Sequence, residues 1–521
     1  MHLFTSAIAL VVGAATIQST FALAGDYHHW QKAPRLAARE HDVTAERHAQ
    51  RTIASASDTD STSADLPSYK HGQHTLMSQD GKLCPSYGEK QWTGTVDVTD
   101  TRRLFFWAFE SRNDPTNDPV IIWLAGGPGG SSAFGIFNQM GACVLLNDSK
   151  TTKPNPWSWN NNATVIFLDQ PAGVGFSTIA KDGTLPTKDE DGAPDFQEFL
   201  RIFFQDVFPD KAHLPLHIAA ASYGGHYGPV YIKHILESRR TGSPTAFWGN
   251  ITSMILVDGV LDFGGPMMGH YELMCKDERT RGIFTVDTCE KLLAAQPQAE
   301  RLWRQCEHSL NADDCFAMVT YAGKNITSYY EALEEKRSAY NVNQKCPSYP
   351  KCPDPAHGNY IAYLNRAESK TSLGFPESYV FVDLNQDIND GYHNSGSAWI
   401  PTTPQVGAIL DAYQTPKVVN DGRAIGDIRV LVLNGNFDMV ANTHGNILQY
   451  ERVIWSRMGE YRSAKWRDLM DEGVAGTGSW KGTEDGRLVF VALDGAGHSL
   501  PGDMPEPSFK IIQRWLYNGW R

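Results

Sequence analysis

The sequence predicts an α/β fold with a mostly parallel central sheet, and three observations carry that prediction. Short, predominantly apolar runs recur at 120–124, 165–168, 216–220, 253–257, 429–433 and 488–493. Runs of this length read as strands covered on both faces, the way a parallel sheet buries its strands. Helix-compatible stretches separate several of them, as crossover connections require. Several runs end in glycine-rich or small-residue loops, and loops at the carboxyl ends of such strands are where sites form.

Taken in order, the chain opens on an apolar stretch, 3–17, followed by Ala22-Leu23-Ala24. Residues 1–24 are therefore expected to be a cleaved signal peptide, and with no charged stop-transfer after them no stable membrane anchor is expected. Residues 25–70 are polar, with little apolar periodicity, and read as a flexible leader or pro-segment. From Trp92 the texture changes, and 94–98 with 103–109 predict an antiparallel hairpin ahead of the parallel strands. Residues 266–399 break the rhythm and hold six of the eight cysteines: Cys275, Cys289, Cys306, Cys315, Cys346 and Cys352. This span is expected to be an inserted, disulfide-bonded, mainly helical subdomain, because core-like strands resume after it. The core is then 71–265 with 400–521.

Charge and composition narrow the function. Lys plus Arg number 46 against 59 Asp plus Glu, a net −13 with no long basic block, so nucleic acid is not an expected partner. An even count of eight cysteines and four sequons, at Asn147, Asn162, Asn250 and Asn325, fit disulfides and glycans in the secretory pathway, with an extracellular or vacuolar destination. No His/Cys cluster has metal spacing, so no metal site is expected. The glycine run 126–130 lacks both the Gly-Lys-Ser/Thr ending of a phosphate loop and dinucleotide spacing, so no cofactor is expected.

The chemistry centres on 216–225, Leu-His-Ile-Ala-Ala-Ala-Ser-Tyr-Gly-Gly. An apolar run ends in small residues around Ser222 and a helix-compatible segment follows, the pattern of a nucleophile elbow in A-x-S-x-G form. A serine nucleophile needs a base and an orienting acid. In α/β-hydrolases these follow in the order Ser, Asp, His, each after a strand. The stretch 431–438 places Asp438 just past one strand, and 489–498 places His498 in a glycine-rich loop past another. Asp494 is read as a brace of that loop, Asp258 and Asp262 as caps or turns, and Asp169 as structural. An oxyanion hole would use the Tyr223 N–H and an N–H from the 126–130 glycine run.

Several stretches then resemble the serine carboxypeptidase family, of carboxypeptidase Y type. They are 106–112 (FWAFESR), 123–132 (WLAGGPGGSS), 155–160 (NPWSWN), 169–177 (DQPAGVGFS), 222–227 (SYGGHY), 434–442 and 495–498 (GAGH). The resemblance runs from about Trp92 to the C-terminus and is weakest in the insertion. It implies an α/β-hydrolase fold with Ser222 as nucleophile, Asp438 as orienting acid, His498 as base, and Gly127 and Tyr223 as oxyanion donors. It also implies that the groups recognising a substrate's terminal carboxylate, an asparagine and two glutamates, are replaced by Ala125, Ala221 and Gln139. Gly130 stands where the family has a cysteine. Cys275–Cys289 and Cys346–Cys352 follow the family's pairing, Cys306–Cys315 is the simplest remaining pair, and Cys84 with Cys143 are extra and expected to bond each other. The implied function is a secreted serine hydrolase that cleaves C-terminal residues from peptides, its partner being a peptide or ester substrate. The alternatives are an acyltransferase or esterase on substrates without a free carboxylate, and a silent binding protein.

Overall fold

A computed structural model describes residues 67–347, 355–412, 427–474, 478–517 and 520. The expected signal peptide, most of the leader and Cys352 lie outside the described residues. Among the described residues the main sheet has twelve strands, ten of which are named here: β1 (His74–Ser78), β2 (Gln91–Asp97), β3 (Arg102–Phe109), β4 (Val120–Leu124), β5 (Thr164–Leu168), β6 (Leu216–Ala221), β7 (Ile251–Val257), β8 (Arg429–Gly435), β9 (Gly478–Gly482) and β10 (Leu488–Leu493). Their order across the sheet is β1-β2-β3-β5-β4-β6-β7-β8-β10-β9, with Arg467–Asp468 at the far edge. The outer strands are antiparallel, including the expected hairpin of β2 with β3. The stretch β5-β4-β6-β7-β8-β10 is parallel throughout.

Burial explains the apolar runs. Every residue of β4, β5 and β10 is buried, because helices cover both faces of the sheet there. Apolar side chains sort into two buried clusters, one on each face. Register then fixes the site. Ala221 of β6 pairs with Val257 of β7, Val257 with Leu433 of β8, and Gly435 of β8 with Leu493 of β10. The carboxyl ends of four neighbouring strands therefore lie level at one edge.

The helices used below are α1 (Ala133–Asn138), α2 (Asp189–Ile202), α3 (Gly224–Thr241), α4 (Val286–Ser309), α5 (Ala312–Ala322), α6 (Gln386–Asn394), α7 (Thr443–Arg452) and α8 (Pro505–Tyr517). Between β7 and β8 the chain leaves the sheet and forms α4, α5, α6 and a hairpin of Arg337–Ser338 with Asn341–Lys345. The start of the described chain is tied down as well: Arg103 donates to the Pro67 and Ser68 carbonyls at 3.2 Å each, and the Lys70 N–H donates to Asp97 at 2.8 Å.

Three disulfides join Cys84–Cys143, Cys275–Cys289 and Cys306–Cys315, each as expected. Cys346 is also disulfide-bonded, while its expected partner Cys352 lies outside the described residues. Disulfides persist in oxidising compartments. The Cys84–Cys143 bond spans 59 residues, a loop whose closure restricts the unfolded chain by about 4 kcal/mol. Replacing both cysteines with serine is expected to lower the unfolding free energy by about 2–4 kcal/mol, read from the denaturant midpoint. An unchanged midpoint would contradict this.

Candidate active site

Ser222 sits between β6 and α3 with φ +56°, a left-handed conformation that costs a non-glycine residue energy. The local sequence explains how the turn closes. A Cβ on Gly224 would lie 2.7 Å from the Ala220 Cβ, so the two positions fit only if one lacks a side chain. A Cβ on Gly225 would meet the Val260 backbone at 2.4–2.6 Å. Ser222 itself is clamped by backbone: its N–H donates to the Val257 carbonyl at 3.1 Å, and its carbonyl accepts from Val260 N–H at 2.9 Å. Its side chain stays half-buried, at the head of α3, whose N-terminal partial positive charge faces the turn.

Asp438 and His498 meet. His498 Nδ1 lies 2.7 Å from Asp438 Oδ2, with Asp438 fully buried and His498 open to solvent at about a tenth of its side chain. Asp438 is also held by the Val440 and Ala441 N–H groups at 2.7 and 3.1 Å, so two backbone donors and one imidazole converge on it. The contact to Nδ1 leaves Nε2 as the ring nitrogen free to handle a proton. Among the described residues no hydrogen bond joins Ser222 to His498, and in a ligand-free site such contacts commonly tighten only on substrate binding.

The glycine run packs against the elbow more closely than its composition alone conveys. A Cβ on Gly126 would lie 2.5 Å from Tyr223 N, 2.6 Å from Ala221 O and 2.8 Å from Ser222 Cβ. Only glycine allows this approach. Gly127, at φ +115°, is exposed. Among the described residues neither the Gly127 N–H nor the Tyr223 N–H donates to a protein acceptor. Two unpaired donors beside a serine at a helix head can stabilise an oxyanion. The loop is pinned from several sides. Tyr227 OH accepts from Gly129 N–H at 3.1 Å, Asp169 accepts from Ser131 Oγ and Ser132 N–H at 2.7 and 2.9 Å, and Asn389 Nδ2 of α6 donates to the Pro128 carbonyl at 2.9 Å. Burial pushes the Asp169 carboxyl up to about 6, against the pull of those donors.

Tyr223 is anchored behind the site. Its ring stacks on His226 at 4.4 Å and its hydroxyl donates to Asp189 at 3.1 Å. In front, the hairpin between β7 and β8 laps the histidine loop: Tyr340 O accepts from His498 N–H at 2.6 Å, and the two rings lie 5.3 Å apart. Sequence reasoning missed Tyr340, Gly126's contact and the α6 strap, because none leaves a local signal. Asp494 does brace its loop, accepting from Asn436 Nδ2 at 2.6 Å and pairing with Arg279. Asp262 accepts from Gly265 N–H at 2.7 Å, as a turn cap does.

Ala125 and Ala221 are half-buried beside the elbow, and Gln139 is buried at the end of α1. Of the four sequon asparagines, Asn147 and Asn250 are exposed. Asn162 and Asn325 are half-buried with their side chains engaged, by Gln513 at 3.0 Å and the Tyr321 carbonyl at 2.7 Å. No group of three or more His, Cys, Asp or Glu among the described residues could hold a metal ion, and no described helix is long and apolar enough to cross a membrane.

The family model for serine carboxypeptidases matches residues 84–518. The chain belongs to the serine carboxypeptidase family. This serine carboxypeptidase relative is 33% identical to carboxypeptidase Y homolog A of Aspergillus oryzae over 435 residues, 83% of this chain and 75% of that one. It is 32% identical to the protein of that name from Botryotinia fuckeliana over 82% of this chain and 73% of the other. Its fold is similar to that of a prohormone-processing carboxypeptidase from Saccharomyces cerevisiae, with a TM-score of 0.65 at 20% identity, over 84% of this chain and 95% of that one. The fold is thus an α/β-hydrolase, and the protein is a serine hydrolase of the carboxypeptidase type.

Proposed function

We propose that the protein releases C-terminal residues from peptides through an acyl-enzyme on Ser222. The observation that carries this is the 2.7 Å contact of His498 Nδ1 with Asp438 at the same sheet edge as an elbow serine. Ser222 Oγ attacks the scissile carbonyl as His498 Nε2 takes its proton, and Asp438 holds the imidazole in register and balances its charge. The Tyr223 and Gly127 N–H groups receive the oxyanion. The leaving amine takes the proton from His498, and water, activated by the same imidazole, then releases the acyl group.

Ala125, Ala221 and Gln139 shape what is bound. None carries a charge, and the two alanines offer no side-chain hydrogen bond to a terminal carboxylate. A missing charge-assisted hydrogen bond is worth about 1.5–3 kcal/mol, or tenfold and more in efficiency. We therefore expect weak selection for the free acid. Turnover of an N-acyl dipeptide, its C-terminal amide and the matching ester, measured from acid to neutral pH, tests the reading. Discrimination for the free acid is expected to stay below about tenfold. A hundredfold preference for the free acid would overturn weak carboxylate selection, and no turnover of any of the three would overturn the triad assignment. The disulfides and the exposed Asn147 and Asn250 support passage through the secretory pathway with glycans at those two sites, to an extracellular or vacuolar destination. Residues 266–399 are read as the inserted subdomain of this enzyme.

A further inference from the structure

Asp258 follows β7, between the strand that carries Ser222 and the one that leads to Asp438. It is fully buried and adopts φ +47°, one of four non-glycine residues with positive φ among the described residues, Ser222 being another. Its own N–H donates to the Leu433 carbonyl of β8 at 2.7 Å, and Oδ1 accepts from the Gly435 N–H at 2.8 Å. Its neighbours Val257 and Val260 are the two residues that clamp the Ser222 backbone. Gly435 in turn accepts from Asp438 N–H at 3.1 Å, and a Cβ on it would meet the Gly497 carbonyl at 2.3 Å, next to His498. One turn thus ties the nucleophile, the acid loop and the histidine loop together.

Among the described residues the carboxyl at the centre of this tie has no counter-ion. Oδ2 is buried and has no hydrogen-bond partner among the described residues. The charged groups that face it are Asp438 from the loop after β8 and Asp503 from the turn after the histidine loop, both acidic, and the backbone N–H groups that approach it belong to Gly435 and Leu500. No ion pair involves Asp258 among the described residues. A buried carboxylate without a cation or sufficient donors sheds its charge by taking a proton.

We infer that Asp258 is a positioning residue of the triad that works as the neutral acid: Oδ1 holds the Gly435 N–H, and the bound proton leaves Asp438 as the carboxylate that serves His498. This rests on the triad reading above. Burial first, and then the Asp438 charge, push the Asp258 carboxyl well above the usual carboxylate range, against the pull of the two N–H groups. The pH dependence follows in sign. Above the unfolded carboxyl value of about 3.9 the unfolded chain has released this proton while the folded chain keeps it, so this group lowers stability progressively as pH rises until the folded group ionises.

Asp258→Asn keeps the shape and the Oδ1 acceptor but cannot ionise. Its kcat is expected to stay within about threefold of wild type at neutral pH, and its Tm to exceed that of wild type by a margin that grows with pH, by about 2 °C or more between pH 5 and 8. Asp258→Ala, which frees the Gly435 N–H, is expected to lose about tenfold or more in kcat with KM little changed. A protonated-carboxyl C=O band in the infrared spectrum of the wild type, absent in Asp258→Asn, reads the proton directly. A Tm margin constant with pH, no such band at neutral pH, or a kcat loss in the Asn variant equal to that of the Ala variant would each overturn the inference. The Tm margin and the band need no turnover, whereas failure of the triad reading shows separately, as wild-type Ser222 unlabelled by a fluorophosphonate probe.

Discussion

Ser222→Ala is expected to abolish both turnover and covalent labelling by a fluorophosphonate probe, with kcat falling on the order of 10⁴-fold or more. The size follows from the site's economy of parts. Ser222 stands at the head of a helix, next to two N–H groups that have no protein acceptor among the described residues. Removing Oγ leaves those donors and the His498–Asp438 pair intact but with nothing to activate. The fold survives, because alanine at φ +56° is strained as serine is, and the Val257 and Val260 clamps act on backbone alone. Ser222→Gly makes the complementary point: it removes the same nucleophile while relieving the left-handed strain, so it is expected to be more stable than Ser222→Ala by about 1 kcal/mol. Undiminished labelling of Ser222→Ala would place the nucleophile elsewhere.

Gly126→Ala has the second largest expected effect, from a residue that carries no functional group. Its new Cβ would overlap Tyr223 N, Ala221 O and Ser222 Cβ, all nearer than 3.0 Å, and none is the tip of a flexible side chain. The glycine loop must back away from the elbow, which separates the Gly127 and Tyr223 N–H groups. An oxyanion hole that loses one donor typically loses about 10²–10³ in kcat. The expected signature is a kcat loss of about 100-fold or more with a smaller change in KM, since the ground-state carbonyl depends less on those donors than the tetrahedral intermediate does. Equal loss for Gly130→Ala, whose Cβ would meet the Gly126 carbonyl at 3.1 Å and no elbow atom, would show general damage to the loop instead.

What was legible in the sequence was what is local or obligatory. Buried parallel strands leave continuous apolar runs, so β4, β5, β6 and β10 stand out, and the residues that close the elbow are small because the turn admits nothing larger. Asp438 and His498 were readable because each follows a strand in the expected order. The sheet's order was not: β5 lies between β3 and β4, a crossover with no local signature. Strand β1 is exposed along its whole length and showed no apolar pattern. Tyr340 escaped because its contact with His498 joins residues far apart in the chain, through the two-stranded hairpin of Arg337–Ser338 with Asn341–Lys345. Asp258 was legible as a turn residue, but its missing counter-ion exists only in three dimensions.

The stretch between β7 and β8 grips the site from two directions, through α6 on the glycine loop and through Tyr340 on the histidine loop. The sheet is contiguous without it, yet neither loop would have its final shape until that stretch has packed. Full activity is therefore expected only of a chain in which this stretch has packed against both loops.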